Sequence, residues 1–255
     1  MGFFYFYTMD IKQYLDSTYL KTSDQAGLTP KEDQIIVQGF VQEAITEKFK
    51  LIMIRPNHVA FAKKMIADAK SKVSVGTVID FPFGNSGLEK KLLEANQAVI
   101  YGADDLDFVC NYEAFKKGEI LLVKNEILEC TKFGLENHKI VKWIIEVAAL
   151  NDQEIIRFSA LIKNLVISNF KEENYASVFV KSSTGFYKTE HNLPNGATIP
   201  TIIMMLENAS PLPVKAAGGV RTHDEALAMI RLGVKRIGTS AAKTIADGQI
   251  SDSDY

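Results

Sequence analysis

The 255-residue chain predicts one α/β domain, a closed (β/α)8 TIM barrel spanning residues 1–255. Three observations carry this reading. Strand-like and helix-like segments alternate eight times, no linker or compositional break interrupts them, and about 250 residues is what eight such units need. A doubly wound open sheet shares the rhythm, but no G-x-G-x-x-G follows the first strand.

In chain order, the first strand is a short apolar piece at Tyr14-Leu15-Asp16. Thr29 and Pro30 open a helix with Ile36, Val37, Phe40, Val41, Ala44 and Ile45 on one face. Residues 51–54 form a strand stopped at Pro56, and Val59, Ala62, Met65 and Ile66 mark the helix after it. A strand over 73–81 ends in the turn Phe81-Pro82-Phe83-Gly84. A helix over 88–101 and a strand over 105–109 come next, then a helix over 119–133 that Gly134 stops. A strand over 140–147 precedes a helix capped by Asp152 that runs to about residue 168. The strand ending at Lys181 leads into a long loop to Gly196 and a helix over 198–208. Residues 213–217 and 236–240 supply the last two strands, each followed by a helix. Residues 1–8 are aromatic, too short for a membrane span and without a basic leader, and read as a start-site extension ahead of Met9. From residue 247 the chain is polar and acidic, and a mobile tail ending in Tyr255 is expected.

The composition is 47% hydrophobic and 24% charged, ordinary for a globular core. A net charge of −2 without a basic block gives nucleic-acid binding no electrostatic support. No run reaches membrane length. Cys110 and Cys130 have no metal-ligand spacing and fit a reduced, cytoplasmic protein. His58, His138, His191 and His223 are scattered, so neither a metal nor a cofactor is expected.

The chemistry sits in two strands that each carry one lysine. Lys215 stands in Pro213-Val214-Lys215-Ala216-Ala217, and Gly218-Gly219 follows where a side chain would keep a ligand from the backbone. Thr222-His223-Asp224-Glu225 is a capping box, so the stretch reads as a phosphate site beside a helix N-terminus. Lys181 ends Val178-Phe179-Val180, ahead of Ser182-Ser183-Thr184-Gly185. In a barrel, alternate residues face the axis and chemistry gathers at strand C-terminal ends. Asp107 shares a face with Asp105, and Lys142 with Ile144 and Glu146, so Asp16, Asp107, Lys142, Lys181 and Lys215 converge on one mouth. An ion-pair network holding the barrel together is one explanation. Amine catalysis is the other. An ordinary lysine is neutral about once in 2,500 molecules at pH 7, and a neighbouring ammonium with partial burial raises that fraction. With Gly238-Thr239-Ser240 as a second phosphate loop, the residues point to a Schiff-base enzyme for a phosphorylated aldehyde or ketone.

Five stretches resemble the deoxyribose-phosphate aldolase family. They are Leu15-Asp16-Ser17-Thr18-Tyr19-Leu20-Lys21, Phe81-Pro82-Phe83-Gly84, Tyr101-Gly102-Ala103-Asp104-Asp105-Leu106-Asp107, Phe179-Val180-Lys181-Ser182-Ser183-Thr184-Gly185 and Lys215-Ala216-Ala217-Gly218-Gly219-Val220-Arg221-Thr222. The resemblance implies a class I aldolase that reversibly cleaves 2-deoxy-D-ribose 5-phosphate to D-glyceraldehyde 3-phosphate and acetaldehyde. It makes Lys181 the Schiff-base lysine, Lys215 the neighbour that lowers its pKa, Asp107 the proton relay, and Asp16 and Tyr255 further catalytic groups. Thr18, Lys142, Ser183, Thr184, Gly185, Gly218, Gly219, Gly238, Thr239 and Ser240 are the substrate-binding candidates. Met53 stands where some members have a cysteine, and Phe186 where some have a phosphate-binding lysine, which leaves Lys188 and Arg221 as candidate charge partners. Another Schiff-base sugar-phosphate aldolase or transaldolase, or a non-catalytic sugar-phosphate-binding barrel, stays open as an alternative. A homodimer is one assembly open to such a barrel.

Overall fold

The computed structural model describes residues 10–248, in which eight parallel strands follow one another in sequence order. They are β1 (Leu15–Tyr19), β2 (Leu51–Ile54), β3 (Ser74–Ile79), β4 (Asp105–Val109), β5 (Ile140–Ile144), β6 (Val178–Lys181), β7 (Val214–Ala217) and β8 (Arg236–Thr239). β8 pairs back onto β1, Leu15 opposite Ile237 and Asp16 opposite Gly238, and the barrel closes. The start-site extension of residues 1–8 and the role given to Tyr255 lie outside the described residues.

Period-two alternation sorts each strand between two environments. Ile52, Ile54, Leu106, Phe108, Val141, Trp143, Val178, Val180, Val214 and Ile237 point outward into the core between sheet and helices. Phe108 stacks on Trp143 at 5.0 Å, and the Trp143 indole donates to Thr131 Oγ1 at 2.9 Å. The inward face is unlike it. Leu51, Met53 and Val78 join Leu20 in a separate small apolar cluster, and most of the remaining interior is charged.

Helix starts follow local capping chemistry. Thr29 and Glu32 form a reciprocal capping box around Pro30 and open Pro30–Glu47, which buries Val37, Val41 and Ala44. Two expectations need correction. The cap of Asp152–Asn169 is Asn151, in a box with Glu154, because the amide oxygen one residue earlier reaches the free N–H. Gly134 does not stop its helix, which runs Ile120–Glu136. A Cβ there would lie 2.3 Å from Val141 Cγ2, so this glycine lets the helix lie close on β5. A further short helix, Tyr112–Lys116, fills the connection after β4.

The turn after β3 is held by buried charge. Lys91, fully buried, lies 2.8 Å from Asp80 and 2.9 Å from Glu126 and donates to the Gly84 carbonyl at 2.6 Å. Gly84 has φ 68°, and a Cβ there would meet the Cys110 carbonyl oxygen at 2.3 Å. Gly87, at φ 86°, has nothing within 4 Å of such a Cβ. Gly87→Ala is therefore expected to lose about 1 kcal/mol from backbone strain. Gly84→Ala adds a backbone clash and should lose a further ~1–3 kcal/mol, read by urea denaturation. Equal losses would show that the turn yields freely.

Candidate active site

At the C-terminal half of the barrel the inward positions form one buried network of opposite charges. Asp107 is its centre. Its Oδ1 accepts from Lys142 Nζ at 2.8 Å, while its Oδ2 accepts from Lys181 Nζ at 2.9 Å and Lys215 Nζ at 3.0 Å. Lys142 also reaches Asp105 at 2.6 Å. Arg236 lies on Asp16 Oδ1 through Nε at 2.7 Å, and its Nη2 is 3.3 Å from Asp105. Lys215 Nζ approaches Asp16 Oδ2 to 2.6 Å, yet Oδ2 has no hydrogen bond of good geometry; this contact is an off-axis ion pair.

Strand register builds the network. Lys181 lies opposite Lys215 across β6 and β7, and Lys215 lies opposite Arg236 across β7 and β8. Asp107 lies opposite Lys142 across β4 and β5. Gly238 makes room for the longest member, since a Cβ there would stand 3.1 Å from Lys215 Cε.

Four cations meet three carboxylates in a water-poor interior, an excess of one positive charge. That charge is least secure on Lys181, which has one carboxylate partner where Lys142 and Lys215 each have two. Burial is the largest influence lowering the Lys181 pKa. Asp107 opposes it, the Lys215 and Lys142 ammonium groups add to it, and the result is about 8. About one molecule in ten then carries a neutral Lys181 at pH 7, against about one in 2,500 for an ordinary lysine. Burial also works against the Lys215 ammonium, but Asp107 and Asp16 outweigh it and its pKa is raised. For Asp107 burial is again the largest influence and favours the neutral acid. Lys142, Lys181 and Lys215 together overturn that and hold its pKa well below the usual range. The site thus holds a loosely protonated lysine beside a firmly protonated one, bridged by a firmly ionised carboxylate.

Above Lys181 opens a cleft of about 540 Å³ with the open solvent at its mouth included. Its walls include Thr18, Thr184, Gly185, Gly218, Gly219, Gly238, Thr239 and Ser240, so eight of the ten binding candidates come together there. Lys142 and Ser183 do not line it. Lys142 is fully buried beneath, committed to Asp105 and Asp107, and Ser183 is buried behind Thr184. Asp16, Asp107 and Lys215 lie under the floor, fully buried. Arg221 lines the cleft, whereas Lys188 is exposed and does not. At the N-terminus of the helix His223–Leu232, Glu225 accepts from the Arg221 and Thr222 amides at 2.8 and 3.0 Å. A carboxylate thus lies beside that helix end, while the Gly218-Gly219 backbone and the Gly238-Thr239-Ser240 turn line the cleft.

Sequence reasoning missed several members. Arg236 stands at the first position of β8, where a cation reads as a solvated strand end, so the pattern that singles out Lys142 does not reach it. Leu20 and Asn195 also line the cleft. Phe186 turns to the opposite wall, edge-on to Phe81 at 5.0 Å, with the Arg55 guanidinium 4.7 Å from the Phe81 ring centre and 5.9 Å from that of Phe186. Among the described residues no group of three metal-ligating side chains could hold a metal ion, and no helix is long and apolar enough to cross a membrane.

Residues 18–248 match the model of the DeoC/LacD family aldolases. The chain is 38% identical to a deoxyribose-phosphate aldolase of Thermococcus gammatolerans over 94% of its own length and 96% of the relative's. It is 35% identical to one of Streptococcus pneumoniae over 97% and 100%. Among solved structures it is similar to "QR15, an Aldolase", with a TM-score of 0.78 at 29% identity, covering 94% and 96% of the two chains.

The lowered Lys181 pKa is a statement about stability. Unfolded, the lysine keeps its proton to its ordinary pKa of 10.5; folded, it gives it up at about 8. Below pH 8 the fold bears the whole cost of a buried, under-paired ammonium, and this cost is relieved between pH 8 and 10.5. Lys181→Met leaves the network with equal charges. It is expected to raise the melting temperature at pH 7, with a gain that shrinks as pH rises above 8, followed by calorimetry. A lower melting temperature at pH 7 would mean that Lys181 is a net structural tie.

Proposed function

The chain belongs to the DeoC/LacD family of aldolases, and from that membership we propose how the buried network does its work. It is a class I aldolase that reversibly cleaves 2-deoxy-D-ribose 5-phosphate to D-glyceraldehyde 3-phosphate and acetaldehyde through a lysine Schiff base. Lys181 is the nucleophile. The observation carrying this is its place as the one network lysine at the cleft and the one whose pKa is pulled down, to about 8.

Neutral Lys181 adds to the C1 aldehyde of the open-chain sugar, and loss of water gives the iminium. The C2–C3 bond then breaks, its electrons pass into the iminium as an enamine, and the C3 hydroxyl gives up its proton. Both Asp107 oxygens are engaged in the resting network. Conversion of an ammonium with three N–H bonds to an iminium with one loosens the grip on Oδ2 and leaves a lone pair for that proton, taken through water. Lys215 and Asp16 hold the relay's charge. The glycines at 218 and 219 and the 238–240 turn receive the phosphate, with Arg221 at the rim as charge partner and Thr18 facing the sugar hydroxyls.

Two buried free thiols, Cys110 and Cys130, suit the reducing cytoplasm. Exposed Leu93 and Ile100 on one helix beside exposed Leu121 and Leu122 on its neighbour support a homodimer. Light scattering should give twice the chain mass; a monomer at micromolar concentration would remove that reading.

Borohydride reduction with acetaldehyde is expected to add one ethyl group, found on Lys181 by peptide mass spectrometry. Label on Lys215 with Lys181 untouched would reverse the two roles. Asp107→Asn should cut turnover by roughly 10²–10⁴ while the trapped adduct still forms. Loss of both together would give Asp107 a structural role.

A further inference from the structure

Glu146 follows the inward row of β5, two residues past Ile144, in a left-handed backbone conformation at φ 57°. Its side chain is buried, and among the described residues its hydrogen bonds go to the loop after Lys181. Ser183 Oγ lies 2.8 Å from Glu146 Oε1, and Glu146 Oε2 accepts from both the amide and the hydroxyl of Thr184. The same Ser183 Oγ lies 2.5 Å from the Asn195 carbonyl oxygen and accepts from the Gly185 amide at 3.0 Å. A hydroxyl has one proton, and here two oxygens ask for it. The Asn195 carbonyl cannot donate. If Glu146 were a carboxylate, one of the two contacts would be two oxygens facing each other with no hydrogen between. A proton on Oε1 resolves the count.

We infer that Glu146 is a positioning residue that acts in its protonated form: Glu146 Oε1–H donates to Ser183, Ser183 donates to the Asn195 carbonyl, and this chain sets residues 195–197 against the glycine turn that receives phosphate. The inference rests on the aldolase reading above. The last link is direct. The Ala197 amide donates to the Ala217 and Gly218 carbonyls at 3.2 and 2.8 Å, and a Cβ on Gly196 would stand 2.5 Å from Gly218 Cα. Asn195 Nδ2 donates to the Gly185 carbonyl at 3.2 Å, so residue 195 ties the two ends of the loop after β6 together, while Ala197 beside it reaches the β7 loop.

The surroundings fit a neutral acid. Burial is the largest influence and raises the Glu146 pKa, against the hydrogen bonds from Thr184 and Ser183 and the Lys181 charge. Lys142, on the same strand, is committed to Asp105 and Asp107. Lys116 of the helix Tyr112–Lys116 bonds the Ala149 carbonyl. Tyr112 of that helix is pushed up to about 12 by burial and then by Glu146, so it stays neutral across the working range. As pH rises through the raised Glu146 pKa the proton leaves, Ser183 turns its hydrogen to the carboxylate, and Asn195 is released. Phosphate preference then declines with rising pH.

The experiment measures kcat/KM for addition of acetaldehyde to D-glyceraldehyde 3-phosphate and to unphosphorylated D-glyceraldehyde, from pH 7 upward. Titration of Lys181 enters both and cancels in the ratio, and the phosphate, with its second pKa near ~6, is already a dianion. In the wild type the ratio is expected to fall about tenfold, the worth of one such hydrogen bond. Glu146→Ala, with no carboxylate to draw the Ser183 hydrogen away from Asn195, should show a ratio that no longer changes with pH. Glu146→Gln, whose amide N–H replaces the acid proton, should keep the preference and flatten the profile. A flat wild-type ratio, or the same decline in Glu146→Gln, overturns the inference. If Glu146→Gln does not fold, carbon NMR of glutamate-labelled wild type decides. One buried carboxyl still protonated at pH 7 supports the assignment, and none overturns it. Absence of a borohydride adduct on wild-type Lys181 would instead overturn the aldolase reading itself.

Discussion

One carboxylate carries three ammonium groups in this barrel, and the rest of the interior is arranged around that debt of negative charge. Asp107 binds Lys142, Lys181 and Lys215. Asp16 and Asp105 neutralise part of the load and Arg236 adds to it again. A well-packed apolar core would be as stable or more so, because buried ion pairs seldom recover their desolvation cost. What the excess gives is a proton with no firm holder. It settles on the lysine with fewest partners, and that lysine is the one at the cleft. Reactivity and the stability cost are the same term seen from two sides.

The barrel makes such an arrangement affordable in geometry. Parallel register sets Lys181, Lys215 and Arg236 on one row of adjacent strands, so three cations are held at fixed spacing by backbone hydrogen bonds, not by their flexible stems. A glycine on the last strand leaves volume for the middle lysine. The same economy appears at the mouth, where Gly196 and Gly218 let two loops meet backbone to backbone. Side chains would separate them.

Much of this was legible in the chain, for one reason: a charge inside a short apolar strand has few places to go. Lys142, Lys181, Lys215 and Asp107 announced themselves in that way. Their depth did not. A period of two tells which face a residue takes and is silent on its height along the barrel, so it does not separate Lys142, fully buried beneath the cleft, from Lys181 at its floor. Arg236 begins its strand, where a cation reads as an ordinary solvated end, and only closure against β1 shows that it faces Asp16. The capping box at Thr222 was legible as a helix start. Glu225 completes it by accepting from the Thr222 amide. Gly134 misled because a glycine that ends a helix and one that lets a helix lie close to a strand look alike in sequence.

The reaction itself explains why the cleft has two unlike walls. It divides one chain into a two-carbon piece without charge and a three-carbon piece bearing a dianion, with a single amine between them. On one side of Lys181 the wall is backbone and small residues, Gly218, Gly219, Gly238 and Ser240, with Arg221 at the rim. Leu20 belongs to the other wall, and Met53, Val78, Phe81 and Phe186 pack with it in one apolar cluster. Phe186 could have served either wall from its place after Gly185. Packed against Phe81 under the Arg55 guanidinium, it serves the apolar one.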